Sequence, residues 1–435
     1  MKTLILLLVL TMVGTQLRAQ SADSLTVEEA IRSVTRTHPL IRKAKESVEA
    51  ASARVRQSRS AYYPTSDAEL TYTRLDPIGE VTFPGLGLFE MYPENNYDEH
   101  ISLRQTLYDF GKTSASVDLN QTSMNADART VELVSTDLAF QTIQTFYAIL
   151  FLRQNLEVQG QEIDALNEHL LITQKKSDAG TATDFDVLTT QVRIAAEQNR
   201  RADIENLLQH QELTFRRLLG LPPDAPIRIK GSFDAPPVSM NPDSLLNAAQ
   251  SQRTEILQSK DQEKLAELGE KVASLQDRPE LKLELVYGLK NGIFPDIDVL
   301  RGNWVAGVEA KLPIFNGFKT RSEEEEAHAK VLSARDQTLN TARAVELEVQ
   351  QSISDIRTNV RKIETSTLGL EQARQALEMA KVRYESGVIT NLDLIDAQTA
   401  LAEAELTRLS ALHDYIISRY ALQRATGENI IPAEE

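Results

Sequence analysis

Tyr384-Glu-Ser-Gly-Val-Ile-Thr-Asn-Leu-Asp-Leu-Ile-Asp-Ala-Gln398 separates two runs of apolar residues at helical spacing, one from about Val331 and one reaching about Leu422. Gly387 can take the left-handed backbone that ends a helix. Thr390 can cap the next helix, with Asp393 three residues on as its capping-box partner. The stretch therefore reads as the tip of a helical hairpin. A second tip, Ser177-Asp-Ala-Gly-Thr-Ala-Thr-Asp-Phe-Asp-Val-Leu-Thr-Thr-Gln191, stands 207 residues earlier, with Gly180, Thr183, Asp186 and Gln191 at the places of Gly387, Thr390, Asp393 and Gln398. The chain is built twice.

Working outward, the same plan appears on both sides. Leu25–Ser60 is helical in character, opened by the capping box Thr26-Val-Glu-Glu29 and interrupted at His38-Pro39. After Pro64 the period changes from 3.6 to 2: Ala68, Leu70 and Tyr72 alternate with polar residues, as do Ile101, Leu103 and Leu107. Between them lies a loop of turn formers, Pro77–Asn96. From Lys112 to Lys176 there is no proline and a single glycine, Gly160, which predicts a rod of roughly 95 Å at 1.5 Å per residue. Its apolar residues follow two seams, one through Leu138, Leu152, Ile163 and Leu166, the other through Phe140, Ile143, Tyr147 and Leu150, so the helix has neighbours on both sides. Past the tip, a helix over Asp184–Leu219 stops at Gly220, and a proline-rich link with a short strand near Ile227–Lys230 leads to the second half.

There, one helix is predicted from about Asp243 to Leu275, then strands over Leu281–Leu289 and Trp304–Leu312, a second long helix from Lys319 to Ser386, the tip, and a last helix ending at Gly427. Val349, Ile356, Ile363, Leu370 and Leu377 lie seven apart, as do Ile395, Ala402, Leu409 and Ile416. Upstream of the strands the offset becomes 215, as from Pro64 to Pro279, so the first half carries eight extra residues, which fall in the Pro77–Asn96 loop. The resulting division is a leader at 1–19, a first repeat at 20–219, a linker at 220–242, a second repeat at 243–427 and a tail at 428–435.

Composition narrows the function. Met1-Lys2, the apolar run Leu4–Val13 and Leu17-Arg18-Ala19 have the layout of a secretory signal peptide, with cleavage expected after Ala19. Losing Lys2 and Arg18 with it takes the net charge from −16 to −18. A chain so acidic, with no basic patch, argues against nucleic acid as a partner. There is no cysteine, which excludes disulfides and a thiol nucleophile, and the six histidines show no pair at metal-ligand spacing. No nucleotide or nucleophile-elbow motif is present, so neither an enzyme nor a cofactor is expected. The four alternating strands, with Tyr72, Tyr287 and Trp304 among them, have the signature of a membrane barrel. Four strands cannot close a barrel, and lipid does not tolerate an open edge, so several copies must share one.

The duplicated plan, the junctions Leu107-Tyr-Asp-Phe-Gly111 and Pro313-Ile-Phe-Asn-Gly317, and the two tips together resemble the TolC-like outer-membrane efflux protein family over nearly the whole mature chain. That resemblance implies a mainly α protein with a membrane β part: a homotrimer whose 12-strand β-barrel, four strands per chain, continues into a long periplasmic α-helical barrel, with the linker and tail in a belt around its middle. It implies a gated passive conduit in the outer membrane, for efflux or type I secretion, working with a periplasmic adaptor protein and an inner-membrane pump. The helices alone would also allow a structural coiled-coil or adhesin-like envelope protein.

Candidate site residues lie at the tips. Asp393 and Asp396 are three apart on one helical face, and threefold repetition would make a ring of six carboxylates. Asp393 has a second, structural reason as a capping residue. Asp396 lies beyond the cap and its mate is Thr189, so capping does not account for it. In the family, carboxylates at these two places line the periplasmic constriction, and Tyr384 and Asp186 match a tyrosine–aspartate lock between neighbouring hairpins. An arginine expected two residues after Gly387 is replaced by Ile389, which implies a less tightly latched gate. Gly180, Thr181, Gly387 and Val388 are the expected adaptor-docking positions.

Overall fold

The computed structural model describes residues 24–85, 87–234, 236–237 and 240–433; the expected leader and the last two residues of the tail lie outside them. In order, the elements are α1 (Val27–Thr37), α2 (Pro39–Arg59), β1 (Thr65–Arg74), β2 (Glu80–Phe83), β3 (Gly87–Glu90), β4 (Asn95–Tyr108), α3 (Lys112–Asp178), α4 (Asp184–Leu219), α5 (Pro242–Gln252), α6 (Thr254–Ser274), β5 (Glu280–Lys290), β6 (Arg301–Lys311), α7 (Lys319–Glu385) and α8 (Asn391–Thr426). The repeat is explicit in the lengths. The long helices α3 and α7 have 67 residues each, α4 and α8 have 36, α1 and α5 have 11, and α2 and α6 have 21.

Two expectations need correction. The single helix predicted over Asp243–Leu275 is two helices, broken at Arg253, whose backbone is extended (φ −63°, ψ 121°). Thr254 has no ring to force the break. Arg253 stands 215 residues after His38, the break between α1 and α2, so the register of the repeat marked the place even though the proline did not recur. The Arg253 carbonyl still accepts from the N–H groups of Ile256 and Leu257, and its buried guanidinium grips Glu255 at 2.6 and 2.8 Å. The second correction lies in the Pro77–Asn96 loop, which contains the short hairpin β2–β3. Four-residue strands are too short for a period-2 pattern to show.

The chain divides into two compact units that cut across the repeats. One comprises the chain up to Ile41, Val134–Ala249 and Glu346–Glu435; the other comprises Arg42–Leu133 and Gln250–Val345.

The second unit holds a four-stranded antiparallel sheet in the order β1-β4-β5-β6. Register places Ala68, Ile101, Tyr287 and Trp304 in one row across all four strands, with Leu103, Leu285 and Ala306 beside it on the same face. This apolar face is bare: Trp304 is 75% exposed and Tyr287 67%. The opposite face is polar. Arg104 on β4 reaches Glu284 on β5 at 3.0 Å and Asp67 on β1 at 3.7 Å. An inverted sheet of this kind, greasy outward and charged inward, is what a lipid-facing barrel wall needs. Gly288 sits opposite His100, where a Cβ would collide with the Glu99 carbonyl and the His100 side chain, so β4 and β5 require a glycine there.

At both strand-to-helix junctions two consecutive residues are left-handed: Phe110 and Gly111 (φ 55° and 92°), then Gly317 and Phe318 (φ 69° and 64°). The glycine has changed places with the phenylalanine, yet the backbone shape is kept. Asp109 stabilises the first by accepting from the N–H groups of Gly111 and Thr113 at 3.0 and 2.7 Å, which caps α3. Exposed Tyr108, Phe110, Phe315 and Phe318 gather at these junctions as an aromatic girdle would. Among the described residues no helix is long and apolar enough to cross a membrane.

The first unit is helical. Its core packs Ile31 of α1, Ile143, Phe146, Tyr147 and Ile149 of α3, Phe215 of α4, and Leu409 and Ile416 of α8. Phe233 of the linker and Ile430 of the tail complete it, and Leu25 bridges Ile229 in parallel, the one trace of the strand expected near Ile227–Lys230. Both apolar seams of α3 are used: Leu138, Leu152, Ile163 and Leu166 are buried, as are Ile143, Tyr147 and Leu150. The seven-residue series of α7 and α8 are likewise inside, with Val349, Ile356, Leu370, Leu377, Ile395, Ala402, Leu409 and Ile416 all buried.

Candidate functional site: the paired helical tips

Each long helix closes the same way. Gly180 and Gly387 are left-handed (φ 74° and 71°), and the residue after each donates five residues back: Thr181 to the Lys176 carbonyl and Val388 to the Arg383 carbonyl, both at 2.8 Å. Open space surrounds both glycines, so their need is conformational and not steric. Thr181 is exposed with its hydroxyl donating to Lys176, and Val388 presents its isopropyl group to the surroundings.

Each following helix opens with a complete capping box. The Asp186 carboxylate accepts from the Thr183 N–H and hydroxyl at 2.9 and 2.7 Å, and Asp393 does the same for Thr390 at 2.8 and 2.7 Å. The structural reason for Asp393 therefore holds. The Thr390 hydroxyl, with the Thr390 N–H, keeps the Asp393 carboxyl below its ordinary range, so it stays ionised at neutral pH. Asp396, one turn on, is exposed and, among the described residues, its carboxylate makes no hydrogen bond or ion pair. Its mate Thr189 turns its hydroxyl back to the Phe185 and Asp186 carbonyls.

Tyr384 and Asp186 are not joined by a hydrogen bond within this chain. One oxygen of the Asp186 carboxylate, Oδ2, is committed to its cap. The Tyr384 ring is buried among Leu377, Leu394 and Ile389, edge-on to His169 at 5.2 Å, with the Lys176 ammonium 4.0 Å above it. A hydrogen-bonded contact at the tip exists, but between other residues. His169 Nε2 meets Asn391 Oδ1, and the Asn391 amide donates to the Asp186 carbonyl at 3.2 Å and to Thr190 Oγ1 at 3.3 Å. Thr173 Oγ1 lies 3.4 Å from His169 Nε2 and donates to the His169 carbonyl at 3.0 Å. Sequence reasoning missed this set because its partners are more than 200 residues apart. Only the side of the hairpin on which they fall, a polar His and Thr four apart on the buried seam of α3, hinted at it.

Further from the tip, α3 and α4 enclose an acidic pair. Glu197 is buried and held by Gln159 at 2.8 Å, Arg200 at 3.2 Å and Arg193 at 3.4 Å. Glu162 is only 7% exposed, and its Oε1 has no hydrogen-bond partner. Burial, reinforced by the Glu197 charge, pushes the Glu162 carboxyl up to about 7. Among the described residues no cluster of side chains could hold a metal ion.

The sequence profile described as "Outer membrane efflux protein" matches residues 30–221 and 245–428, most of the chain. Among similar proteins are the outer membrane efflux protein BepC of Brucella suis, 23% identical over 95% of this chain and 88% of its own length, and the outer membrane protein TolC of Escherichia coli K12, 21% identical over 98% and 86%. Among solved structures, the outer-membrane channel CmeC of Campylobacter jejuni superposes with a TM-score of 0.81 at 15% identity, covering 92% of this chain and 85% of that one. VceC of Vibrio cholerae gives 0.78 at 18% identity, covering 93% and 96%.

Proposed function

As a member of the outer membrane efflux protein family, this chain is an outer-membrane channel protein, and we propose that it works as a homotrimeric, passive, gated conduit from periplasm to exterior. One observation carries the trimer: the sheet ends in β1 and β6, each with one neighbour in the sheet, while its apolar face is bare. In lipid both edges must pair, and copies of the same chain supply matching strands. The six carboxylates of Asp393 and Asp396 then ring a constriction at the tip. The exposed tips around Gly180, Thr181, Gly387 and Val388 offer small side chains to the helical hairpin of a periplasmic adaptor. The energy comes from an inner-membrane pump engaged through that adaptor. The Tyr384–Asp186 lock forms between neighbouring hairpins of the assembly, with Asp186 Oδ1 free to accept from the phenol while Oδ2 keeps the cap. Light scattering of the detergent-solubilised mature protein tests the assembly. A trimer is expected; a fully folded protein that stays monomeric at all concentrations overturns it.

A further inference from the structure

His169, Thr173, Thr190 and Asn391 are four polar side chains, each more than nine-tenths buried, in the part of the helical unit nearest the tips. They come from three helices: His169 and Thr173 from α3, Thr190 from α4 and Asn391 from α8. Buried polar groups are rarely arranged so without a consequence, because each must be satisfied by the others. Asn391 is the hub. Both hydrogens of its amide are spent, on the Asp186 carbonyl and on Thr190, so its Oδ1 must accept, and the donor is His169 Nε2–H. The tautomer follows: the neutral ring carries its proton on Nε2 and leaves Nδ1 bare. Among the described residues nothing equivalent exists in the other repeat, where the mate of Asn391 is Asp184, exposed and taken up locally by the Ser177 hydroxyl at 3.1 Å.

We propose that the His169–Asn391 hydrogen bond is the latch that ties the second hairpin to the first at the gate, and that acid releases it. The proposal rests on the tips being the gate, as argued above, and names the residues that hold it shut. A separated tip would expose the imidazole to water, where it titrates near its ordinary value of about 6.5. In the latched tip three groups face it. Its own helix brings the Lys176 ammonium, α4 brings the Asp186 carboxylate and α7 brings the Tyr384 phenol, while α8 brings only the neutral Asn391. Burial is the largest influence and lowers the affinity for a second proton. The Asn391 bond and Asp186 act the other way, and Lys176 acts with burial. The latched imidazole is therefore neutral at pH 7. Because its latched value lies below its released value, the latch is at full strength above about 6.5 and weakens as pH falls from there through the latched value. The added proton has only Nδ1 to go to, and it places a cation beside Lys176 in a buried setting.

The chain has no cysteine, so spin labels can be placed cleanly. Labels at the exposed positions Leu171→Cys and Leu392→Cys, on α3 and α8, would report their separation by pulsed electron resonance in reconstituted trimers, beside single-channel open probability, from pH 7.5 to 5.0. The wild-type separation should widen on acidification, with the released-to-latched ratio rising by up to tenfold per pH unit in each protomer. His169→Gln keeps a donor and removes the titration, so it should flatten both responses. Asn391→Ala should be released and conducting at pH 7.5. A wild-type separation that does not change with pH overturns the latch, whatever the variants do. So does a His169→Gln trimer that widens as the wild type does. Acid widening with no change in conductance supports the latch and overturns the placing of the gate at this tip.

Discussion

Replacing Glu162 by Gln should stabilise the protein at alkaline pH and do little at acid pH. Glu162 lies against Glu197, whose charge is already shared by Gln159, Arg193 and Arg200. The two arginines already paired with Glu197 offset burial of a second carboxylate only in part, and one of its oxygens has no partner. Its folded value of about 7 stands above its unfolded value of 4.5. For a carboxyl shifted upward, the sign is the reverse of the common case. The folded state holds the proton more tightly, so the benefit is present below 4.5 and is lost as pH rises through 7. At about 1.4 kcal/mol per unit, the ionised side chain costs roughly 3 kcal/mol per chain at pH 8 and roughly 1 kcal/mol at pH 5. Gln keeps the shape and removes the charge. The gain in stability from Glu162→Gln should thus be about 2 kcal/mol larger at pH 8 than at pH 5. Thermal unfolding of the detergent-solubilised protein at the two values measures it. An equal effect at both, or a loss confined to pH 8, would mean that Glu162 is ionised and paired in the fold, and would refute the reasoning.

Two further outcomes follow from the tip. Asp396→Asn, at an exposed residue with no partner, should leave thermal stability within about 0.5 kcal/mol, while lowering cation-over-anion selectivity and weakening block by polyvalent cations; reversal potentials in a salt gradient decide it, and unchanged values would remove Asp396 from the constriction. Gly180→Arg combined with Gly387→Arg meets no neighbouring atom in this chain at the Cβ but strains each left-handed turn by roughly 1–2 kcal/mol, so trimers should still form while export, followed by substrate accumulation in cells, is lost; normal export would count against docking there.

What could be read from the sequence was what depends on neighbours a few residues away. The capping boxes at Thr26, Thr183 and Thr390 join residues three apart, and the glycine stops at Gly220 and Gly427 join a residue to its own backbone, so each was visible as spelling. The sheet was visible for a related reason: alternation over ten residues or more survives without knowing which strand pairs with which. The break at Arg253 was hidden because its cause is an extended backbone held by the fold, with no proline to announce it. The Tyr384–Asp186 lock was expected by analogy as a contact between neighbouring hairpins; within this chain one Asp186 oxygen caps α4 and Tyr384 rests beneath Lys176, and neither arrangement is spelled locally. His169 and Asn391 are 222 residues apart, and a histidine four residues before a threonine on the seam of α3 does not name a partner so distant.

The duplication itself separates structure from function at the tips. Three of the positions that the two repeats share, Gly180 with Gly387, Thr183 with Thr390 and Asp186 with Asp393, shape or cap a helix end. Two positions at which they differ have no such duty. Asp396 stands where the first repeat has Thr189, and is unpartnered and exposed; Asn391 stands where it has Asp184, and is buried at the junction of three helices. A turn must be built in both halves, so both halves keep its residues. A charge facing a pore or a bond across the gate needs to be built in only one, and three protomers then supply it three times. The gate is therefore to be sought where the repeats disagree. The partners of Asn391 obey the same rule. At the 207-residue offset His169, Thr173 and Thr190 correspond to Ala376, Ala380 and Ala397, whose methyl groups can neither donate nor accept a hydrogen bond, so these positions of the second repeat cannot build a latch of their own.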